Sequence, residues 1–427
     1  MSPTFASLSI RNYRIWAAGA LVSNVGTWMG RVAQDWVVLT ELTDHSATAL
    51  GIVTGLQFAP MLLLAPWTGA VTDRMPKRAL ILMAQATLGL SALIGGLLVV
   101  SGAAQLWHFY LLALLTGVAT AFDNPARQTF VGEMVPAERL ANAVALNSAS
   151  FNLGRLVGPG VAGLTIAAIG SGPTMLANAV TFAAVIASLL LMRPSELTPA
   201  PRSARRGSVV EGLRYVRSRP DIKLVMVLIF VLGTFGMNFQ LTIALMATQV
   251  FDKGSQEYGL LGSVMAVGSL SAALLAARRG EPRLRVLLLA LVGFTIASGA
   301  AAVAPSYLTF AIALAACGLS ALTAMTTANA MVQMRTEPSM RGRVMALYMA
   351  IFFGGTPLGA PLVGWIGDVL GPRWTIGIGA AAVGLTLVAV SAWLIRREDV
   401  TVSYESQRRP HVRVTVRPTQ MMPEAAK

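Results

Sequence analysis

The chain has 427 residues, 55% of them hydrophobic and only 12% charged, with a formal net charge of +14 and a mean hydropathy of +0.64. Ordinary soluble domains carry about 25% charged residues, so a water-soluble globule of this length is excluded. The single cysteine, Cys317, lies in an apolar run and the three histidines (His45, His108 and His411) fall in predicted loops or tail, which excludes a disulfide framework and leaves no metal centre and no cofactor expected.

Apolar runs of about twenty residues, the length that crosses roughly 30 Å of hydrocarbon, predict twelve membrane spans. In chain order they are 13–40, 49–71, 79–101, 106–130, 140–168, 173–192, 222–250, 257–277, 284–304, 306–333, 342–369 and 373–395. Arg11 and Arg14 lead straight into a full-length span, so no cleavable signal peptide is expected. Breakers mark the turns: Asp44-His45, Met75-Pro76, Gly170-Ser171-Gly172-Pro173 and Gly371-Pro372.

The basic residues sort to one side. Arg74, Lys77 and Arg78, then Arg139, the 193–223 linker, Arg278, Arg279, Arg283, Arg285, Arg335, Arg341, Arg343, Arg396 and Arg397 all fall on even-numbered turns or at the termini. The opposite side holds Lys253 and Arg373, so about twenty-eight of the 33 Lys and Arg share one face. That asymmetry predicts both termini in the cytoplasm. It also accounts for the net charge without a nucleic-acid partner, leaving lipid head groups as the expected contact. The predicted organisation is a six-helix bundle over 1–192, a cytoplasmic linker over 193–221, a second bundle over 222–397 and a disordered basic cytoplasmic tail over 398–427. Within the linker, Val209 to Arg219 alternates as an amphipathic helix that can lie along the membrane surface.

The halves repeat. Ala145-Leu146, Gly117, Gly154, Gly158, Gly163 and Gly170 recur as Ala346-Leu347, Gly318, Gly355, Gly359, Gly364 and Gly371, all at one offset of 201 residues. Internal repeats of this kind mark secondary transporters, with the substrate site at the repeat interface near the bilayer midplane.

Residues 69–78 read Gly-Ala-Val-Thr-Asp-Arg-Met-Pro-Lys-Arg, on the turn between spans 2 and 3. The pattern of Gly69, Asp73, Arg74 and Arg78 resembles the signature of the major facilitator superfamily, with Pro76 where that signature usually has glycine. The second half has Ala276-Ala277-Arg278-Arg279 and no acidic counterpart. In span 5, Gly154-Arg-Leu-Val-Gly158-Pro159-Gly160-Val-Ala-Gly163 resembles the glycine-proline motif of the antiporter branch. Small residues four apart let helices approach, and Pro159 bends the span. Arg11-Asn12-Tyr13-Arg14, Gln34-Asp35-Trp36, Phe122-Asp123-Asn124-Pro125-Ala126-Arg127 and Asn147 to Pro159 are similar to the branch of enterobactin-exporter-like and macrolide-efflux-like proteins. The resemblance implies an all-α membrane protein of major facilitator fold, with twelve helices in two pseudo-symmetric six-helix bundles. One departure is Ala113, four residues before Gly117, where many proton-coupled exporters of the superfamily carry arginine.

A charge near mid-bilayer costs roughly 2.5–3.5 kcal/mol on insertion scales, so each one needs a partner or a cavity. Arg31 and Asp35 are four apart and can pair on one helix face. Asp35 is the candidate protonatable group, with Arg31 or Arg155 tuning it, since a nearby cation lowers a carboxylate pKa and desolvation raises it. A static Arg31–Asp35 pair that only neutralises span 1 is the alternative. Asp123 and Arg127, also four apart, are expected to join Gly69, Asp73, Arg74 and Arg78 in a network closing the cytoplasmic side. Candidate cavity residues are Asn24, Gln34, Asn147, Asn152, Asn238, Gln240, Thr326, Thr327, Asn329 and Tyr348, with Phe58, Met265 and Phe352 as apolar wall. Helix–helix packing is the alternative role for each.

The expected function is a proton-coupled exporter of a small amphipathic molecule, such as a siderophore, macrolide or other drug, working by alternating access as a monomer in the bacterial inner membrane. A metabolite importer or facilitator and a non-transporting membrane sensor are the alternatives. No P-loop, nucleophile triad or metal-ligand cluster is legible, so an enzyme and an ATP-driven pump are not expected.

Overall fold

The computed structural model describes residues 3–198, 209–277, 282–398, 401–404 and 412–415. Among the described residues, ten helices are long and apolar enough to cross a membrane, and they are spans 3 to 12 in chain order. Span 1 is Arg11–Trp36, continued by a π-helical turn Val37–Glu41. Its Arg11, Arg14, Arg31 and Asp35 lower its apolarity. Span 2 is broken into Ala47–Leu63 and Ala65–Arg74, because Pro66 follows the break and Pro60 precedes it. These two complete the twelve.

The remaining spans are Lys77–Val100, Leu106–Met134, Ala137–Ile169 and Ser171–Leu191 in the first bundle. The second bundle holds Pro220–Val250, Ser255–Ala277, Leu284–Ala302, Tyr307–Arg335, Arg341–Leu370 and Arg373–Glu398. Local chemistry sets several ends. Ser46 accepts from the Ala49 amide at 3.2 Å and Ser306 from the Thr309 amide at 3.3 Å, each capping a helix start. Gly170 and Gly371, the last pair of the sequence repeat, close spans 5 and 11 at φ of +88° and +98°, a conformation that only glycine adopts freely.

The repeat is visible in the packing. Gly117 of span 4 lies against the Gln57 backbone of span 2, and Gly318 of span 10 against the Met265 backbone of span 8. Gly154 and Gly158 of span 5 meet Asn24 and Trp28 of span 1, as Gly355 and Gly359 of span 11 meet Thr234 of span 7. Gly163 touches the Ser255 carbonyl of span 8, and Gly364 the Ala47 carbonyl of span 2. The first six glycines make contacts within the bundles and the last two join them, so spans 5 and 8, and spans 11 and 2, form two equivalent seams.

Large apolar side chains cover the outside, with Leu289, Leu308, Leu385 and Val180 each about two-thirds or more exposed. On a soluble protein this would be an aggregation surface; around a bundle of spans it is the face that meets hydrocarbon. The linker helix Val209–Ser218 docks on the basic end of span 11 rather than standing apart: Val216 is buried, Glu211 pairs with Arg343 at 3.3 Å, and Tyr215 accepts from the Glu337 amide. Beyond span 12, the described residues 401–404 and 412–415 form an antiparallel pair, β1 (Thr401–Tyr404) and β2 (Val412–Thr415), with Thr401 opposite Thr415, and the rest of the tail expected over 398–427 lies outside the described residues. Thr401, Val402, Val412, Val414 and Thr415 are β-branched and favour extended backbone.

Candidate transport pathway

The two ends of the molecule differ. The basic face carries the turns rich in Lys and Arg, and the far face carries the turns after spans 1, 5, 7 and 11. Among the described residues, all seven hydrogen bonds that join the bundles lie in the far half. Asp368, near the end of span 11, accepts from the Ser46 hydroxyl and the Ala47 and Thr48 amides at 3.2, 2.7 and 2.9 Å. A carboxylate at the start of span 2 satisfies amides that have no partner inside the helix. Tyr258 of span 8 donates to Asp35 of span 1 at 3.2 Å, and Gln249 to the His45 carbonyl at 2.8 Å. Ser255 and Ser263 of span 8 donate to the Gly163 and Leu156 carbonyls of span 5. The glycine-proline motif lies in this seam, with the Pro159 carbonyl packed where Gly259 has no side chain.

Toward the basic face the bundles part. Phe58 and Phe353 stack across spans 2 and 11 with ring centroids 6.4 Å apart, and Leu62 covers Gly354. Farther along span 2, a Cβ added to Gly69 would meet nothing within 4 Å. Gly69, expected to serve close helix packing, has no helix against it. The protein is closed at the far face and open at the basic face.

Between the two regimes lies a cavity lined by Thr54 and Phe58 of span 2, Met237, Asn238, Gln240 and Leu241 of span 7, and Phe352, Phe353 and Thr356 of span 11. Spans 2 and 7 are interrupted near it. Span 7 runs Pro220–Val231, winds as a π-turn through Leu232–Gly236, and breaks at Met237-Asn238 before Phe239–Leu245 resumes. Span 11 runs from Arg341–Gly354 through Gly355, whose backbone stays helical at φ −70° and ψ −35°, into Thr356–Leu370. Broken helices at mid-membrane are tolerated where the freed backbone lines a cavity, which is where transporters bind their cargo. Asn238 ties its amide to the Thr234 carbonyl at 2.8 Å, and its buried Oδ1 has no hydrogen-bond partner.

The charges of span 1 are arranged differently from a simple pair. Arg31 forms no ion pair with Asp35; the carboxylate is buried and turned to Tyr258, and Trp36 stacks on the same tyrosine at 6.2 Å. Asp35 lies six residues before Glu41, about 9 Å from the far end of the span at 1.5 Å per residue. Arg31 and Arg155 instead converge on Trp28, with their guanidinium carbons 5.0 and 5.8 Å from its ring centroid. Neither has a carboxylate partner or a hydrogen bond among the described residues. A cation over an indole face gains roughly 0.5–2 kcal/mol, less than the insertion cost of one unpaired arginine near mid-bilayer.

The acidic and basic residues of the first bundle's basic end form a local network. Arg127 pairs with Asp123 at 2.7 Å, Gln85 donates to Asp123 at 2.9 Å, and Arg127 lies 5.4 Å from the Trp16 ring centroid. All four belong to the first bundle, so this network holds spans 1, 3 and 4 together and does not bridge to the second. Arg74 is exposed and Arg78 donates to the Leu189 carbonyl at 2.8 Å. The Asp73 side chain, Arg278 and Arg279 lie outside the described residues. Arg127→Ala leaves Asp123 buried without its counter-ion and is expected to lower stability by about 3–5 kcal/mol. Thermal unfolding of the purified variant checks this, and Asp123→Asn added to it should recover part of the loss.

The other candidates divide between lining and packing. Gln240, Asn238, Phe58 and Phe352 line the cavity. Asn24 donates to Ser150 at 3.0 Å, binding span 1 to span 5, and Asn152 donates to its own Ser148 carbonyl. Thr326 bonds back to Leu322, Asn329 accepts from Gln333, and Tyr348 and Met265 are buried in the second bundle. Thr327 is buried and Asn147 half-buried, and Gln34 keeps a buried Nε2 with no partner. Trp28, Tyr258, Asp368 and Phe353 were not singled out by the sequence. Trp28 could have been found by its spacing, four after Asn24 and three before Arg31; Tyr258 carries no such signal, because its partner is 223 residues away.

Twelve spans in two repeated bundles, with a cavity at their broken helices and latches on one side only, define a major facilitator transporter. The profile of the transmembrane secretion effector family matches residues 2–422, and the chain belongs to that family. Among its relatives, the staphyloferrin A transporter of Staphylococcus aureus is 26% identical over 375 residues, spanning 85% of this chain and 92% of that protein. The multidrug efflux pump Tap of Mycolicibacterium fortuitum is 26% identical over 89% of this chain and 95% of its own length. The enterobactin exporter EntS of Shigella boydii is 25% identical, covering 84% and 86%. In fold, the chain is similar to the inward-facing, unoccupied structure of a bacterial homolog of the human lysosomal transporter Spinster, with a TM-score of 0.65 at 16% identity over 93% of this chain and 96% of that one.

Proposed function

We propose that this protein exports a small amphipathic molecule of siderophore or drug type across the bacterial inner membrane in exchange for protons. In this reading the basic face and both termini are cytoplasmic, and a single chain surrounded by lipid is the working unit. Segments 1–192 and 222–397 rock as two bodies joined by the linker over 193–221, and no catalysed chemistry is involved. The observation that carries the reading is the one-sided latch, with seven hydrogen bonds between bundles at the far face and open space at Gly69 on the other. Cargo entering from the cytoplasm meets the cavity of spans 2, 7 and 11; release requires the latches to part and the signature turn to close. Asp35 links this motion to protons, because it is the one buried carboxylate described in the bundle seam and its bond to Tyr258 exists only while the far face is shut. The efflux pump Tap and the enterobactin exporter EntS among the relatives support export, and the mixed apolar and amide lining supports an amphipathic cargo.

Deletion of the gene should raise cellular accumulation of the exported compound, with catecholate and citrate-based siderophores and macrolides as the panel. Complementation by the intact chain should lower it again, and a protonophore should abolish the difference. Reduced accumulation on deletion would instead indicate import, and binding without flux in proteoliposomes would indicate a sensor.

A further inference from the structure

We propose that Arg31 and Arg155, held on Trp28, form the recognition site for carboxylate groups of the cargo, so that the exported molecule is a polycarboxylate. The inference deepens the exporter reading and rests on it for the word cargo. Arg31 lies ten residues before Glu41 and Arg155 fourteen before Ile169, about 15 and 21 Å from the far ends of their spans. Both are therefore near the middle of the membrane. Both are partly exposed, and none of their nitrogens is sealed away from open space. Neither has a carboxylate, carbonyl or hydroxyl partner among the described residues, while every other arginine of the first six spans with a described ion pair or hydrogen bond sits at the basic end.

Two guanidinium groups at mid-membrane, neither with an ion pair or a hydrogen bond among the described residues, are a binding arrangement suited to an anion. A guanidinium presents a planar fork of donors that matches a carboxylate. Trp28 fixes both forks from one side, with Phe151 edge-on to the indole at 6.0 Å, so their positions are set before cargo arrives. Gln34, one turn beyond Arg31, keeps a buried amide nitrogen with no acceptor and supplies a further donor on that side of span 1. Asp35 offsets only part of this charge, because its carboxylate faces Tyr258. The local balance of Arg31, Arg155 and Asp35 stays positive whether or not Asp35 carries a proton. Nothing comparable is present in the cavity of spans 2, 7 and 11, which offers amides and aromatic rings to the rest of the molecule.

The test is equilibrium binding of radiolabelled citrate to the full-length protein in nanodiscs, with triethyl citrate, the neutral ester of the same skeleton, and inorganic phosphate as competitors. Citrate is expected to bind, unlabelled citrate to displace it, and the ester and phosphate each to compete at least about tenfold less well. Arg31→Gln and Arg155→Gln should each weaken citrate binding by about tenfold or more, while Arg→Lys at either position keeps part of it. Unfolding temperatures of the variants identify any that fail to fold, and a Trp28→Phe variant, which keeps an aromatic platform, provides a second reading with both arginines intact and should weaken binding less than either glutamine variant. Absence of citrate binding, equal competition by ester or phosphate, or unchanged binding in folded glutamine variants would overturn the assignment. Failure of the exporter reading looks different: citrate binds in an arginine-dependent way, yet deletion of the gene leaves the accumulation of every compound in the panel unchanged.

Discussion

Asp35→Asn is expected to uncouple the transporter. Asparagine keeps an oxygen that accepts from Tyr258, so the far-face latch at 3.2 Å can still form. The variant cannot take up or release a proton. In proteoliposomes, a pH difference of one unit supports a cargo gradient of about tenfold for one-for-one exchange, equivalent to roughly 1.4 kcal/mol. In the variant that gradient should vanish, while exchange of cargo for cargo across the membrane continues. Tyr258→Phe makes the companion case, removing the donor and keeping the carboxylate, so proton dependence should persist with a shifted pH profile. Transport by Asp35→Asn that remained fully dependent on the proton gradient would remove Asp35 from the coupling role.

Gly163→Leu should abolish transport by a different route. A side chain there would strike the Ser255 carbonyl and the Gln256 backbone of span 8. Backbone on a packed helix cannot swing aside as a flexible side chain can, so the two bundles must separate at the far face. Overpacking of this kind costs about 1–3 kcal/mol, enough to change the ratio of closed to open forms by roughly 5- to 150-fold. Thr54 lines the cavity and is almost fully buried. A cysteine placed there should be slow to react with a membrane-impermeant maleimide from the far face in the parent and fast in Gly163→Leu. The native Cys317 is fully buried and gives little background. Full transport in Gly163→Leu with Thr54→Cys still protected would mean that the span 5–span 8 seam does not gate.

Much of this arrangement is legible in the sequence because it is enforced locally or by the solvent. Span lengths follow from bilayer thickness. The repeat follows from glycines whose missing side chains are demanded by helix contacts in both halves. What escapes a sequence reading depends on partners distant along the chain. Asp35 and Arg31 share a helix face and invite a pairing by spacing, but Tyr258 takes the carboxylate and Trp28 the guanidinium. Asp123 and Arg127 do pair as their spacing suggests, yet Gln85 and Trp16 enclose them inside one bundle, which makes them a bundle staple. The break in span 7 follows from contacts inside the second bundle, since Gly233 and Gly236 only permit what Phe352 and Phe294 require. The signature turn at Gly69 is recognisable as a pattern, but its close-packing role is not realised here, where a Cβ at Gly69 would meet nothing within 4 Å.

Alternation between these two closures is the central claim, and paired distance measurements by spin labelling test it most directly. One pair joins Asp44→Cys and Lys253→Cys at the far face, and the other Met75→Cys and Ser339→Cys at the basic face; all four positions are exposed. When Gly163→Leu or an acidic far-face medium shifts the equilibrium, the far-face distance should lengthen as the basic-face distance shortens. Distances that stay fixed, or that lengthen together at both faces, would contradict alternating access in this protein.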